Sequence, residues 1–214
     1  GNQGSGSIAI GIEAGFTGQG LQAIAIGTKS GGTGQKDGAI AIGSSAGYAT
    51  QGVGSIAIGL ESGQTNQGSQ AIAIGQQAGA SAQGQQAIAI GDEAGKDRQS
   101  QQAIAIGTDA GRNVQSTGAI AIGMEAGFIS QNFSAIAIGL KAAGDSIVTD
   151  HGQGTGAVAI GHKAGHSDQK YHAIAVGVDA GYTLHVKLMG DRRAEPAKFN
   201  HRLECIAIGP SAGG

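Results

Sequence analysis

The sequence predicts an all-β protein: a single stack of parallel β-solenoid coils, twelve of them, each sixteen residues long. Three observations predict it. A tetrad Ile-Ala-Ile-Gly returns at a fixed spacing of sixteen residues. Glycine supplies 42 of the 214 residues while aromatics are 3%. The apolar residues of each unit alternate with a period of two, and no segment shows the 3.6-residue period of a helix.

The tetrad begins at Ile8, Ile24, Ile40, Ile56, Ile72, Ile88, Ile104, Ile120 and Ile136, returns as Val158-Ala159-Ile160-Gly161, then at Ile174 with Val176 in the third place, and then at Ile206. The full unit reads Gly-x-x-Ala-Gly-x-x-x-Gln-x-x-x-Ala-Ile-Ala-Ile. It is too short for a helix pair and matches one solenoid coil. Parallel strands stack about 4.8 Å apart, so twelve coils make a rod of roughly 60 Å. The glycine after the second Ile, present in every unit, marks a corner with positive φ or a close backbone approach. The Ala-Gly pair three residues on (Ala14-Gly15, Ala46-Gly47, Ala78-Gly79) marks a second corner of small residues.

Each column of the unit carries an expectation. The two Ile stand two residues apart and share one side of their strand. Ile24, Ile26, Ile72, Ile74, Ile120 and Ile122 are therefore expected to form the core. The residue between them is Ala in all twelve units. A solvent-facing column drifts, as Glu13, Lys29, Ser45, Gln77 and Asp109 do, so a constant Ala points to a closely packed second surface. Ala25, Ala41, Ala57, Ala73, Ala89, Ala105 and Ala121 are expected to line a subunit interface. The alternative is a solenoid interior so narrow that it admits only Ala. Gln19, Gln35, Gln51, Gln67 and Gln83 open a Gln column expected to bond coil to coil as an amide ladder, against the plainer reading of a tolerated polar turn residue.

Magnitudes point to partners. Two Ile per coil contribute about 1.5–3 kcal/mol each when buried. Ordering sixteen backbones opposes this by about 1–2 kcal/mol per residue. Ladder hydrogen bonds and lateral burial against other copies must supply the difference.

The bulk chemistry excludes several classes. Collagen needs glycine at every third position and abundant proline, and only two prolines occur. An apolar fraction of 40% with a net charge of -2 argues against disorder and gives no electrostatic case for nucleic acid or an anionic membrane. No apolar run is long enough to span a bilayer, so no membrane insertion is expected. One cysteine rules out an intrachain disulfide framework. With no initiating Met, no visible signal peptide and no capping element, the chain is expected to abut further sequence or another molecule end to end.

Two interruptions divide the chain. Residues 1–181 read as solenoid repeats with a short insertion near 144–151, residues 182–204 as a projecting hairpin or loop, and residues 205–214 as a final coil. The hairpin concentrates Arg192, Arg193, Lys198 and Arg202 and is the candidate ligand-binding site, suited to carboxylate or sulfate groups. His162, His166, His172, His185 and His201 crowd the last third without a ligand spacing. Cys205 fills the small-residue slot before an Ile strand. No metal, cofactor or catalytic constellation is expected, because the polar residues recur as surface columns.

These units resemble the head repeats of trimeric autotransporter adhesins of the YadA type. Ser7-Ile8-Ala9-Ile10-Gly11 and Ser55-Ile56-Ala57-Ile58-Gly59 are most similar to the Ser-Val-Ala-Ile-Gly theme of those heads. The resemblance implies a left-handed parallel β-roll, three chains around one axis, and a role in attachment. The sixteen-residue unit and its Gln depart from the fourteen residues commoner in bacterial heads, and also resemble arrays in phage and giant-virus fibre proteins.

The expected function is thus an extracellular, cell-surface or virion-surface fibre segment. It would self-associate as a homotrimer and attach to a host receptor or glycan. The alternatives are a purely structural filament, an ice-binding solenoid, for which no Thr column exists, and a glycan-cleaving tailspike, for which no carboxylate pair stands out.

Overall fold

The structure is a computed structural model in which residues 2–144, 152–166, 169–181 and 206–209 are described. Among them every regular element is a strand of three residues, and no helix occurs. The Ile-Ala-Ile segments form one twelve-stranded parallel sheet in chain order. Pairing is in register throughout: Ile24 faces Ile40, Ala25 faces Ala41 and Ile26 faces Ile42, and so along the stack. A second sheet of six parallel strands stacks the segments that end in Gln, from Thr33–Gln35 to Asn113–Gln115. Isolated parallel bridges continue that face to Gln131 and Gln153. A coil is thus a flattened loop: an Ile-Ala-Ile strand, a corner, a strand ending in Gln, and a second corner.

Both corners close by the same turn. Ser30 N–H donates to Gly27 O at 3.3 Å after the Ile strand, and Ala23 N–H donates to Gly20 O at 3.4 Å before it. The corner glycine is needed twice over. Gly27 has φ +124°, and a Cβ there would stand 2.7 Å from Gly43 O of the next coil. Left-handed backbone and a neighbouring main chain at that distance leave no room for a side chain.

The period survives its first interruption. Ile136 pairs with Val158 as its predecessors pair with one another, although the offset rises from sixteen to 22 residues at Gln131 and Gln153. Beyond it Ile174 pairs directly with Ile206. The short insertion, the expected hairpin at 182–204 with Arg192, Arg193, Lys198 and Arg202, and also His185, His201 and Cys205 lie outside the described residues.

The structure reverses the two faces of the Ile strand. Ala25, Ala41, Ala57, Ala73, Ala89, Ala105 and Ala121 are 0% exposed inside their own chain. They are interior residues, so they form no subunit interface. Ile24, Ile26, Ile72, Ile74, Ile120 and Ile122 share one face, and it is the outer one; each is only half-buried. The reason is width. A coil that closes in sixteen residues leaves room for three small residues and one Gln: Ala39, Ala41, Ala46 and Gln51, for example, are all buried. An Ile on that side would overpack the space between the sheets.

Candidate functional site: an isoleucine stripe and the amide column behind it

Turned outward and stacked in register, the Ile pairs make two parallel apolar columns along the rod. Neighbours above and below shield each Ile, which keeps most of them half-buried rather than exposed. Where that shielding ends it shows: Ile8 is 46% exposed and Ile208 72%. Twelve coils at about 4.8 Å give a stripe of roughly 55 Å by 10 Å, about 500 Å², at the upper end of what a soluble monomer leaves open.

The Gln column stands behind the stripe and holds it flat. All ten members from Gln19 to Gln169 are buried, at 3% exposure or less. Gln35 Nε2 donates to Ile24 O at 2.7 Å and to Ala39 O at 3.1 Å. The same pair of bonds recurs at Gln99, to Ile88 O at 2.8 Å and Ala103 O at 3.3 Å. Each amide therefore ties the back of one Ile strand to the carbonyl that precedes the next. Its oxygen lies against the last glycine of the corner that follows the Ile strand, where Gly95 has φ +53° and a Cβ would stand 2.9 Å from Gln99 Oε1. Left-handed backbone and that contact together favour glycine in this slot, which Ala143 fills in one coil.

The amides bond to one another only in part of the rod. From Gln67 to Gln169 each Nε2 also donates to the next Oε1, at 3.0–3.2 Å. Gln19, Gln35 and Gln51 make only the backbone bonds, and their Oε1 atoms have no partner. The amide ladder expected from Gln19 onward therefore fails at Gln19, Gln35 and Gln51 and starts only at Gln67; the anchorage to main-chain carbonyls was not legible in the sequence, because it needs the opposing strand in place.

The remaining surface is columnar too. Charge gathers in the coils from Asp92 to Lys141. There Arg112 reaches Glu93 at 2.7 Å and Asp109 at 3.5 Å, and Lys141 reaches Glu125 at 3.3 Å. Burial pushes the Asp109 carboxyl above its usual 3.8, Arg112 opposes the shift, and Glu93, Glu125 and Asp92 add to it. On the exposed edge before the stripe, Gln86 donates to Gln70 at 3.1 Å and Gln102 to Gln86 at 3.2 Å, a second, outer amide ladder. A shallow groove on the opposite face is lined by Asn66, Ala82, Arg98, Gln101 and Thr117. Among the described residues no group of three or more His, Cys, Asp or Glu converges on a metal-sized site. His162 and His172 border the stripe at different coils.

Chemically, then, the arrangement is a rigid rod with one long apolar face, polar columns elsewhere, and a main chain fixed by internal amides. No curated protein and no solved structure matches the chain. A family model matches part of it: residues 67–94, the coils in which the inner amide ladder starts, match the YadA head domain repeat in two copies.

Proposed function

We infer that this chain is a segment of a homotrimeric surface fibre, adhesive in function, whose three copies pack their Ile stripes around a common axis. The observation that carries the reading is the stripe. Two columns of half-buried Ile run the length of the rod, and the interior already has its own Ala and Gln filling. Burying the stripe between copies removes it from water at about 25 cal/mol per Å², which a thin monomeric coil lacks. The head-type repeats support a trimer and an exposed location at a cell surface. Attachment to a host receptor or glycan then falls to the outer columns and to the Arg192–Arg202 region.

Mass by light scattering tests the assembly: a trimer is expected, and Ile72→Asp with Ile74→Asp yields monomer. A stable wild-type monomer would sink the reading. Binding of the purified trimer to a glycan array and to host-type cells tests adhesion. Absence of binding on both would leave a purely structural filament.

A further inference from the structure

The Ile stripe by itself sets no axial register. It repeats at every coil, so two copies packed through it gain nearly as much when shifted by one coil as when aligned. Something else must choose the alignment if the copies are to end together.

We propose that the two edges of the stripe encode that register, each edge reading the opposite edge of a neighbouring copy at the same coil. The proposal rests on the trimer reading above and goes beyond it. The first exposed residue after the stripe directly follows the corner glycine: Ile12, Thr28, Ser44, Leu60, Gln76, Asp92, Thr108, and onward. The first exposed residue before it is the left-handed turn position: Gln22, Gln70, Gln86 and Gln102 at four coils, and Gly or Ser at most others. The two edges match coil by coil. Where the leading edge holds Gln22, Gln70, Gln86 or Gln102, the trailing edge of that coil holds Thr28, Gln76, Asp92 or Thr108, each able to hydrogen-bond. Where the trailing edge holds Ile12, Leu60, Met124 or Leu140, the leading edge holds Gly6, Gly54, Gly118 or Ser134. Small residues thus stand level with large apolar ones, and amides with polar ones. Gly38 with Ser44 and Gly156 with His162 set a small residue level with a polar one, and Val178, level with His172, breaks the pattern.

This matching has no use within one chain. The paired residues sit six positions apart at opposite ends of an extended segment, a span of about 20 Å. In a ring of parallel copies the two edges meet, because rotation brings the trailing edge of one copy to the leading edge of the next. A shift of one coil in one direction sets Gln102 against Met124; in the other it sets Gln22 against Ile12 and Gln70 against Leu60. An amide facing an apolar side chain loses its partner on burial, which is how the edges reject a shift. The outer ladder accounts for bonds among Gln70, Gln86 and Gln102 but leaves Gln22 and the polar residues across the stripe unexplained.

Interchain disulfide mapping tests it. Two chains, both Cys205→Ser, are co-expressed, one with Gln102→Cys and the other with Thr108→Cys, Asp92→Cys or Met124→Cys. The aligned pair 102/108 is expected to oxidise at least tenfold more than either shifted pair. A second set, Gln22→Cys with Thr28→Cys or Ser44→Cys, repeats the comparison should the first fold poorly. Leu60→Gln, Met124→Gln and Leu140→Gln together are then expected to spread the cross-links over shifted pairs while the trimer mass persists. A peak at a shifted pair, equal yields for all pairs, or an unchanged aligned peak in the triple variant overturns the edge code. A monomeric wild type overturns the trimer reading beneath it.

Discussion

The lower coils, up to Gln51, and the upper coils, from Gln67 on, share one period, one corner glycine and one buried Gln column, yet differ inside. In the upper coils the amides form a continuous chain of side-chain hydrogen bonds, and the small-residue slots hold Ala78, Ala94, Ala110 and Ala126. Around the lower coils the equivalent slots alternate Ser30, Ala46 and Ser62, and the Oε1 atoms of Gln19, Gln35, Gln51 and Gln67 have no partner. A repeated residue is therefore not a repeated interaction. Each Nε2 has two hydrogens and up to three acceptors within reach, so whether the ladder forms depends on the interior around it. Charge divides the rod as well: the ion pairs of Glu93, Arg112, Asp109, Glu125 and Lys141 all belong to the upper region.

The harshest test asks whether the two regions are equally narrow. Ala41→Arg in the lower coils and Ala105→Arg in the upper ones should each cost more than about 4 kcal/mol, because either buries an unpaired charge between the sheets. Both are expected to abolish the β-type circular dichroism spectrum. Tolerance of one alone would show that the regions differ in width and not only in bonding.

Next in size is the column itself. Gln99→Leu removes bonds to Ile88 O and Ala103 O, leaves the buried Gln115 Oε1 without its donor, and takes one of three acceptors from Gln83 Nε2. It should destabilise by about 3–5 kcal/mol, against about 2–3 for Gln35→Leu, which has only two backbone bonds. Denaturant midpoints of the assembled protein at one concentration measure the gap. Equal costs would mean that the side-chain ladder adds nothing.

The serines sharpen the comparison from the other side. Ser62 Oγ is buried without a partner, so Ser62→Ala should stabilise by about 1 kcal/mol. Ser30 Oγ donates to Ala41 O at 3.1 Å, so Ser30→Ala should cost about 1 kcal/mol. Opposite signs in thermal melting are the expected result.

The smallest effect is electrostatic and confined to the upper coils. The folded Asp109 carboxyl titrates above its usual 3.8, chiefly through burial. The folded state therefore holds that proton more tightly than the unfolded chain does. Its stabilising contribution is complete below 3.8 and is lost as pH rises through the raised folded value. Melting temperature should fall slightly across that window, and Asp109→Asn should flatten the slope there.

Much of this protein was determined by its sequence alone. A sixteen-residue period with a glycine at every corner admits a stack of parallel in-register coils and little else, and period-two alternation puts each Ile pair on one side of its strand. Which side is inside was decided only by the tertiary structure. Alternation defines two faces without saying how far apart the sheets stand, and hydrophobicity alone favours the larger residue for the interior. Closing the coil in sixteen residues sets that distance, so Ala25 and Gln35 fill the inside while Ile24 and Ile26 are turned outward. The bonding of the Gln column followed the same logic: its carbonyl partners, Ile24 O and Ala39 O, come within reach only once the two sheets are brought together at that spacing.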